Sequence, residues 1–194
     1  FIVATSGRPG PVLIDIPMDV QKEMIDVSAL EINAQDVPIE TNLDAIADLF
    51  ADLKKAKRPV ILAGGGLRSA GVVQLFRDFV EKIQMPVLNS LMGADVLPFA
   101  SPYKAGFIGS YGNRWANHAL GQSDFVLVLG SRLDIRQTGA ETEAFRKDKI
   151  IYHVDCDKGE TNNRIKGCQV ILADLGNFLN EAMLHVSKTS LSLP

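Results

Sequence analysis

The chain has 194 residues, 46% of them hydrophobic and 22% charged, which suits one folded domain with appended arms and leaves enough apolar matter for a core. A formal net charge of -3 carries no basic excess and argues against nucleic acid or an anionic membrane as a partner. No apolar run approaches the roughly 20 residues of a membrane-spanning helix, and Cys156 and Cys168 form no C-x-x-C motif, so a reduced cytoplasm is the expected compartment.

Phe1, rather than Met, opens the chain and suits an excised segment. Pro11-Val12-Leu13-Ile14-Asp15-Ile16-Pro17 reads as a short apolar strand bounded by turn residues. From Met18 to Glu40 no period of 3.6 or 2 is sustained, and the segment reads as a linker. Thr41-Asn42-Leu43-Asp44 resembles a capping box with Asp in place of Glu, opening a helix that carries Leu43, Ile46, Ala47, Phe50 and Leu53 on one face. Lys54, Lys55, Lys57 and Arg58 crowd its C-terminal end, where the dipole favours cations.

Strand and helix signals then alternate. Pro59 to Ala63 is an apolar strand running into Gly64-Gly65-Gly66, and a helix follows with Val72, Phe76, Phe79, Val80 and Ile83 at offsets 0, 4, 7, 8 and 11. Pro86 to Ser90 is a second strand, Arg114 to Leu120 a helix, and Phe125 to Leu129 a strongly apolar strand. Ile150 to Val154 and Val170 to Ala173 are two more strands, and Leu175, Phe178, Leu179, Ala182, Met183 and Val186 mark a closing amphipathic helix. Continuous apolar strands between helices imply a doubly wound, Rossmann-like parallel sheet of five to six strands, flanked by helices on both faces. The expected organisation is an arm over 1–20, a linker over 21–40, the Rossmann-like domain over 41–188 and the start of a further linker over 189–194. A linker of more than twenty residues is too long for an ordinary helix–strand connection, so the strand at 11–17 either pairs at an edge of this sheet or belongs to a neighbouring domain, and the second reading is preferred.

In such sheets ligands bind beyond the carboxyl ends of the strands, near the switch in strand order. That rule selects Gly64, Gly65 and Gly66 after the first strand, and Ser90, Leu91 and Met92 after the second. It selects Gly130, Ser131 and Arg132, with Asp134 and Arg136 close behind, after the strand at 125–129. Asp155 and Cys156 follow the next strand, and Asp174 the last. Glycines let backbone N–H groups approach a phosphate, arginine neutralises a diphosphate, and aspartate accepts from ribose hydroxyls. The set suits a nucleotide. Each member also has a structural explanation. A glycine triplet is ordinary turn chemistry and G-x-G-x-x-G is absent, Ser69 standing at the sixth position after Gly64. Asp134 and Arg136 can pair on the surface, Asp174 can cap the closing helix, and Cys156 can be a small packed residue. No G-x-S-x-G elbow, no P-loop and no defensible Ser-His-Asp pattern supports catalysis, so no catalytic residue is assigned. His118, His153 and His185 have no partner at metal-ligand spacing, His118 and His185 reading as solvated or capping residues, so no metal site is assigned.

Ser6 to Val20 resembles, almost residue for residue, the end of the pyrimidine-binding domain of thiamine-diphosphate-dependent enzymes of the acetolactate synthase (acetohydroxyacid synthase) family. Ala63 to Gly66, Ser90 to Gly93, Tyr111-Gly112-Asn113, Gly130-Ser131-Arg132, Asp134, Arg136, Thr138-Gly139 and His153-Val154-Asp155 follow the middle-domain pattern of the same family in order. The resemblance implies the central domain of such an enzyme, a DHS-like fold of the NAD/FAD-binding type. The full enzyme would decarboxylate a 2-oxo acid such as pyruvate and transfer the acyl carbanion equivalent, as in branched-chain amino acid biosynthesis. Thiamine diphosphate and magnesium would be held by the neighbouring pyrimidine- and diphosphate-binding domains, and the whole would be a homo-oligomer, a dimer or tetramer. FAD is the group the resemblance places at this domain, against the strand-end residues above together with Ser110 and Tyr111. Gly109-Ser110-Tyr111-Gly112 stands where biosynthetic synthases usually have Gly-Met-His-Gly, and Leu133-Asp134-Ile135-Arg136-Gln137-Thr138-Gly139 where they have Phe-Asp-Asp-Arg-Val-Thr-Gly. Two alternatives stay open: a 2-oxo acid decarboxylase of the same family with an empty, structural middle domain, and a free-standing NAD-binding module.

Overall fold

A computed structural model describes residues 2–29 and 41–188. The part of the expected linker over 30–40 and the expected tail over 189–194 lie outside the described residues. The chain divides into two compact units, Phe1–Pro38 and Ile39–Pro194. In the first, the described backbone forms two single helical turns, α1 (Ile2–Thr5) and α2 (Met18–Gln21), and a 3-10 turn at Val27–Ala29. The strand expected at 11–17 does not form. Its backbone carries no strand pairing, and Leu13 is 94% exposed. Pro11 and Pro17 have no N–H to donate, so the segment makes a ladder only where another chain segment supplies one.

The second unit is built on six parallel strands, β1 (Pro59–Ala63), β2 (Val87–Asn89), β3 (Lys104–Phe107), β4 (Phe125–Leu129), β5 (Ile150–Asp155) and β6 (Gln169–Leu172). Their order in the sheet is β3-β2-β1-β4-β5-β6, so the chain reverses its direction of travel between β1 and β4. This is the doubly wound α/β class, with its switch point between the two central strands. β1 and β4 are buried at every position, and this is why they read as unbroken apolar runs.

Side-chain alternation divides the core in two. Ile61, Leu127, Leu129, Tyr152 and Val154 face a layer made by α3 (Ile46–Leu53), α5 (Val73–Ile83) and α9 (Leu175–Lys188), where Phe50, Phe76, Phe79 and Phe178 are buried. Val60, Leu62, Val126, Val128 and Ile151 face the other way, toward α6 (Arg114–Gln122) and Phe145 of α8 (Thr142–Arg146). Two one-turn helices, α4 (Gly66–Ser69) and α7 (Ile135–Thr138), follow β1 and β4.

The start of α3 differs from expectation. No capping box forms at Thr41–Asp44; instead the Asn42 Oδ1 accepts from the Asp44 N–H at 2.9 Å, and the helix begins at Ile46 behind Ala45. The Asx turn takes the same Asp44 N–H that a Thr41 cap would need. The cationic run falls mostly beyond the helix, which ends at Leu53, and Leu49 rather than Ala47 joins Ile46, Phe50 and Leu53 inside. The edge strand β3 was not expected. His185 is not merely solvated, since its ring stacks on Phe50 at 5.2 Å.

Long-range polar bonds tie the layers. Asp124, just before β4, accepts from the backbone N–H of Lys57 at 2.8 Å and of Arg58 at 2.9 Å, fixing the amino end of β1 beside that of β4. Tyr152 on β5 donates its hydroxyl to Asp52 of α3 at 3.0 Å, and Asp52 also takes the Lys55 ammonium. Burial works to raise the Asp124 carboxyl, yet the two backbone donors outweigh it and hold its pKa below the ordinary 3.8. Asp124→Ala is therefore expected to lose about 1 kcal/mol of stability, by removing the acceptor that ties the start of β1 to β4. Because the carboxyl titrates lower in the folded chain, its stabilisation is full above the ordinary aspartate value and fades as pH falls through the folded pKa. Denaturant melts at neutral and acid pH check both: the gap between wild type and Asp124→Ala should close in acid.

Candidate nucleotide site at the carboxyl ends of the strands

The loops after β1 and β4 meet at the switch point. Gly64 donates to the Leu129 carbonyl at 2.9 Å and Gly66 to the Gly130 carbonyl at 3.0 Å. A Cβ at Gly64 would strike the Gly130 carbonyl, and one at Gly66 would lie 2.8 Å from the Gly130 Cα. Gly130 itself sits at φ +59, and any side chain there would also meet Leu175 of α9. The glycines are thus required by the approach of one backbone to another. The two N–H groups expected to face a phosphate are donated within the protein. Gly65 turns toward the β2 loop, where a Cβ would come within 2.8 Å of the Met92 Cβ.

The loop after β4 is fixed along its length. Ser131 donates its hydroxyl to Gln137 Oε1 at 2.7 Å, and Leu133, at φ +52, is buried. Asp134 does not pair with the Arg136 guanidinium; it caps α7, accepting from the Arg136 backbone N–H at 2.8 Å and from Gln137 at 3.1 Å. Burial tends to raise the Asp134 carboxyl, but these donors and the nearby Arg132 hold it below the ordinary value. Arg164 closes the far end of the loop through Thr138 and Gly139. This scaffold leaves the side chains of Arg132 and Arg136 exposed.

The loop after β3 joins the same edge. Ser110 donates to the Arg136 carbonyl at 2.8 Å, and Gly109, at φ +98, leaves no room for a side chain against that carbonyl. Asn117 of α6 clasps the turn through both its amide atoms on Gly109. Exposed here are Leu91 at 60%, Met92 at 67% and Tyr111 at 79%. Ser90 is buried beneath them and donates its N–H to the Ala63 carbonyl.

The loops after β5 and β6 contribute less open chemistry. Asp155 is buried and accepts from the Asp157 N–H at 3.0 Å, while Cys156 is half-buried and outside any disulfide. Asp174 caps α9, accepting from Gly176 at 2.7 Å and Asn177 at 3.3 Å. The structure therefore joins the loops of Gly64 to Gly66, Leu91–Met92, Ser110–Tyr111 and Gly130 to Arg136, and holds Asp174 to its own helix.

Two buried atoms at this end were not foreseen. The Asn89 Oδ1 and the His153 Nδ1 have no hydrogen-bond partner, although Asn89 donates its amide to Gly93 at 2.8 Å and His153 bonds the Ser131 carbonyl at 2.8 Å. Polar residues inside otherwise apolar strands were the available signal. An open concavity at the opposite, amino end of the strands, lined by Asp124, Glu143, Arg146 and Lys149, contains none of the expected site residues. Among the described residues no cluster of His, Cys, Asp or Glu could hold a metal ion, and no helix is long and apolar enough to cross a membrane.

Fold and site together define a doubly wound, Rossmann-like α/β domain, with its exposed side chains at the switch-point loops. Residues 46–182 match the family model of the thiamine pyrophosphate enzyme central domain, and the chain belongs to that family. Over 191 residues it is 35% identical to the acetolactate synthase large subunit of Lactococcus lactis, covering 97% of this chain and 33% of that protein. It is 37% identical over 180 residues to the acetolactate synthase isozyme 1 large subunit of Escherichia coli, covering 92% of this chain and 32% of that protein. A probable acetolactate synthase large subunit of Methanocaldococcus jannaschii is 33% identical, with 94% of this chain and 32% of the relative covered. The chain thus spans about a third of the length of the curated relatives it matches.

The contact of Gly64 with Gly130 makes a sharp test. Gly64→Ala should cost roughly 3 kcal/mol or more, because the added methyl meets backbone rather than a movable side chain. Gly71→Ala, at φ +69 with open space around its Cβ position, should cost about 1 kcal/mol from backbone strain alone. Equal losses in thermal or urea melts would show that the switch-point packing is not tight.

Proposed function

We propose that this chain is the central, non-catalytic part of a thiamine-diphosphate-dependent 2-oxo acid carboligase of the acetolactate synthase kind. The observation that carries the reading is the likeness to acetolactate synthase large subunits along more than nine-tenths of the chain. In the whole enzyme, thiamine diphosphate and magnesium sit in neighbouring domains, where the thiazolium supplies the electron sink for decarboxylation and carbanion transfer. This domain supplies no group to that chemistry. Its role is to hold the architecture together and to seat a flavin nucleotide. A cytoplasmic homo-oligomer is the form in which we expect the enzyme to work, its two cysteines lying outside any disulfide.

The residues present fit FAD. Arg132 and Arg136 offer exposed guanidinium groups to the diphosphate. Leu91, Met92 and Tyr111 offer exposed apolar surface to the flat ring at the same end of the sheet. Asp155 is the acidic group that suits ribose. The glycine loops shape this edge rather than cradle phosphate, since the Gly64 and Gly66 N–H groups are donated to the β4 side. That closure is the one observation favouring the second reading, a structural middle domain without a nucleotide.

Titration of the chain with FAD, followed by flavin fluorescence, separates the two. Binding weakened roughly ten- to a hundredfold by Arg132→Ala is the expected result, as one charged hydrogen bond to phosphate is worth about 1.5–3 kcal/mol. No binding at millimolar FAD would favour the structural reading, and binding untouched by both Arg132→Ala and Asp155→Ala would place the nucleotide elsewhere. The chain alone should consume no pyruvate when given thiamine diphosphate and magnesium. Turnover dependent on both would overturn the assignment of the chemistry to other domains.

A further inference from the structure

His153 stands at the fourth position of β5, between Val128 of β4 and Val170 of β6 in register, and is 1% exposed. Its Nε2 lies 2.8 Å from the Ser131 carbonyl oxygen. A carbonyl only accepts, so this nitrogen carries the proton and donates, and a neutral ring then has Nδ1 as a bare acceptor. The Nδ1 is buried and has no partner. The ring is therefore held in one tautomer by a bond to the residue immediately before Arg132. On the other side of Arg132, Leu133 is buried and its N–H reaches the Ser131 hydroxyl at 3.4 Å. The exposed arginine is thus hung between two anchored residues, and one of those anchors is the imidazole.

We infer that His153 is the positioning residue of this site: as a neutral Nε2–H donor it fixes the Ser131 carbonyl and with it the backbone that presents Arg132, and in acid the same side chain loosens that loop. The consequence for ligand binding rests on the preceding reading of Arg132 as a diphosphate partner; the coupling of ring to loop does not. The physical cause lies in the orphan nitrogen. A proton on Nδ1 creates a buried cation whose new N–H has no acceptor in the closed arrangement. The charged groups acting on the ring are Asp155 on the same strand and Glu160 in the loop beyond it; the facing β4 loop presents the uncharged Ser131 carbonyl and the flanking strands present valines. Burial holds the ring's pKa below the ordinary 6.5, against the opposite pull of Asp155, the Ser131 carbonyl and Glu160. With a depressed folded pKa, the unfolded or loosened chain takes up the proton first. The closed loop is therefore fully stable above 6.5 and loses stability as pH falls below it.

Nitrogen-15 NMR of the labelled chain reads the ring directly. At neutral pH the His153 signals should show the Nε2–H tautomer, and on acidification the amide signals of Ser131, Arg132 and Leu133 should move with the ring's own midpoint, below the ordinary 6.5. An Nδ1–H tautomer, a ring midpoint at or above 6.5, or loop amides that ignore the His153 titration would overturn the inference. The substitution His153→Gln keeps an N–H donor of similar reach without a titration, and His153→Leu removes the donor. In the FAD titration, wild type should weaken several-fold between about pH 7.5 and pH 5.5, His153→Gln should hold near wild-type affinity at both, and His153→Leu should be roughly tenfold weaker at both, as loss of one buried hydrogen bond predicts. A His153→Gln chain that keeps the acid sensitivity would overturn it. If FAD does not bind at all, the nucleotide reading fails, and the NMR measurement still decides the role of His153.

Discussion

Everything at the open end of this sheet is arranged around the contact of two loop backbones. Gly66 donates to Gly130, Gly64 donates to Leu129, and no Cβ fits between them. A parallel sheet that reverses direction between β1 and β4 ordinarily leaves a crevice there, because the two following connections leave toward opposite faces. Here the crevice floor is drawn shut by main-chain hydrogen bonds. The groups a ligand could reach are consequently displaced outward, onto the side chains of Arg132, Arg136, Leu91, Met92 and Tyr111. The site is a rim of side chains over a sealed floor.

That arrangement divides the labour among the charged residues. Asp134 and Asp174 are both carboxylates at the starts of helices, and both give their oxygens to local N–H groups. Arg164 and Asp124 serve backbone groups far away in sequence. The arginines that remain exposed sit on a loop whose every neighbour is tethered. A charged side chain on a stiff support would lose less freedom on meeting an anion than one on a loose loop, and the bonds of Ser131, Asp134 and Gln137 supply that stiffness.

Much of this was legible in the sequence for a simple reason. β1 and β4 are buried on both faces, and burial on both faces writes an unbroken apolar run. β3 is half-exposed along its length and contains Gly106, so Lys104-Ala105-Gly106-Phe107 carries no such run and escaped notice. At Thr41–Asp44 one donor, the Asp44 N–H, suits either a Thr41 cap or an Asn42 Asx turn, and the Asx turn prevails. At the site, position after a strand identified which loops gather, since topology alone dictates that. What each residue does there depends on bonds between residues tens of positions apart. The pairing of Gly66 with Gly130, Ser110 with Arg136 and His153 with Ser131 leaves no local mark, and the one available hint was a histidine placed where the strand pattern calls for an aliphatic.

The two margins of the sheet bear on how the domain meets other protein. On one margin Asn113, ahead of α6, accepts from the Phe107 N–H through its side chain and donates its own N–H to the Phe107 carbonyl. On the other, the Asn42 N–H is spent on the Leu172 carbonyl. Each outer strand therefore has its hydrogen-bonding rail stopped at one point by an asparagine. Growth of the sheet by adding a strand from another copy would have to break those bonds first. A strand added at either margin would therefore meet a bond already made, and the sheet closes on its own six strands.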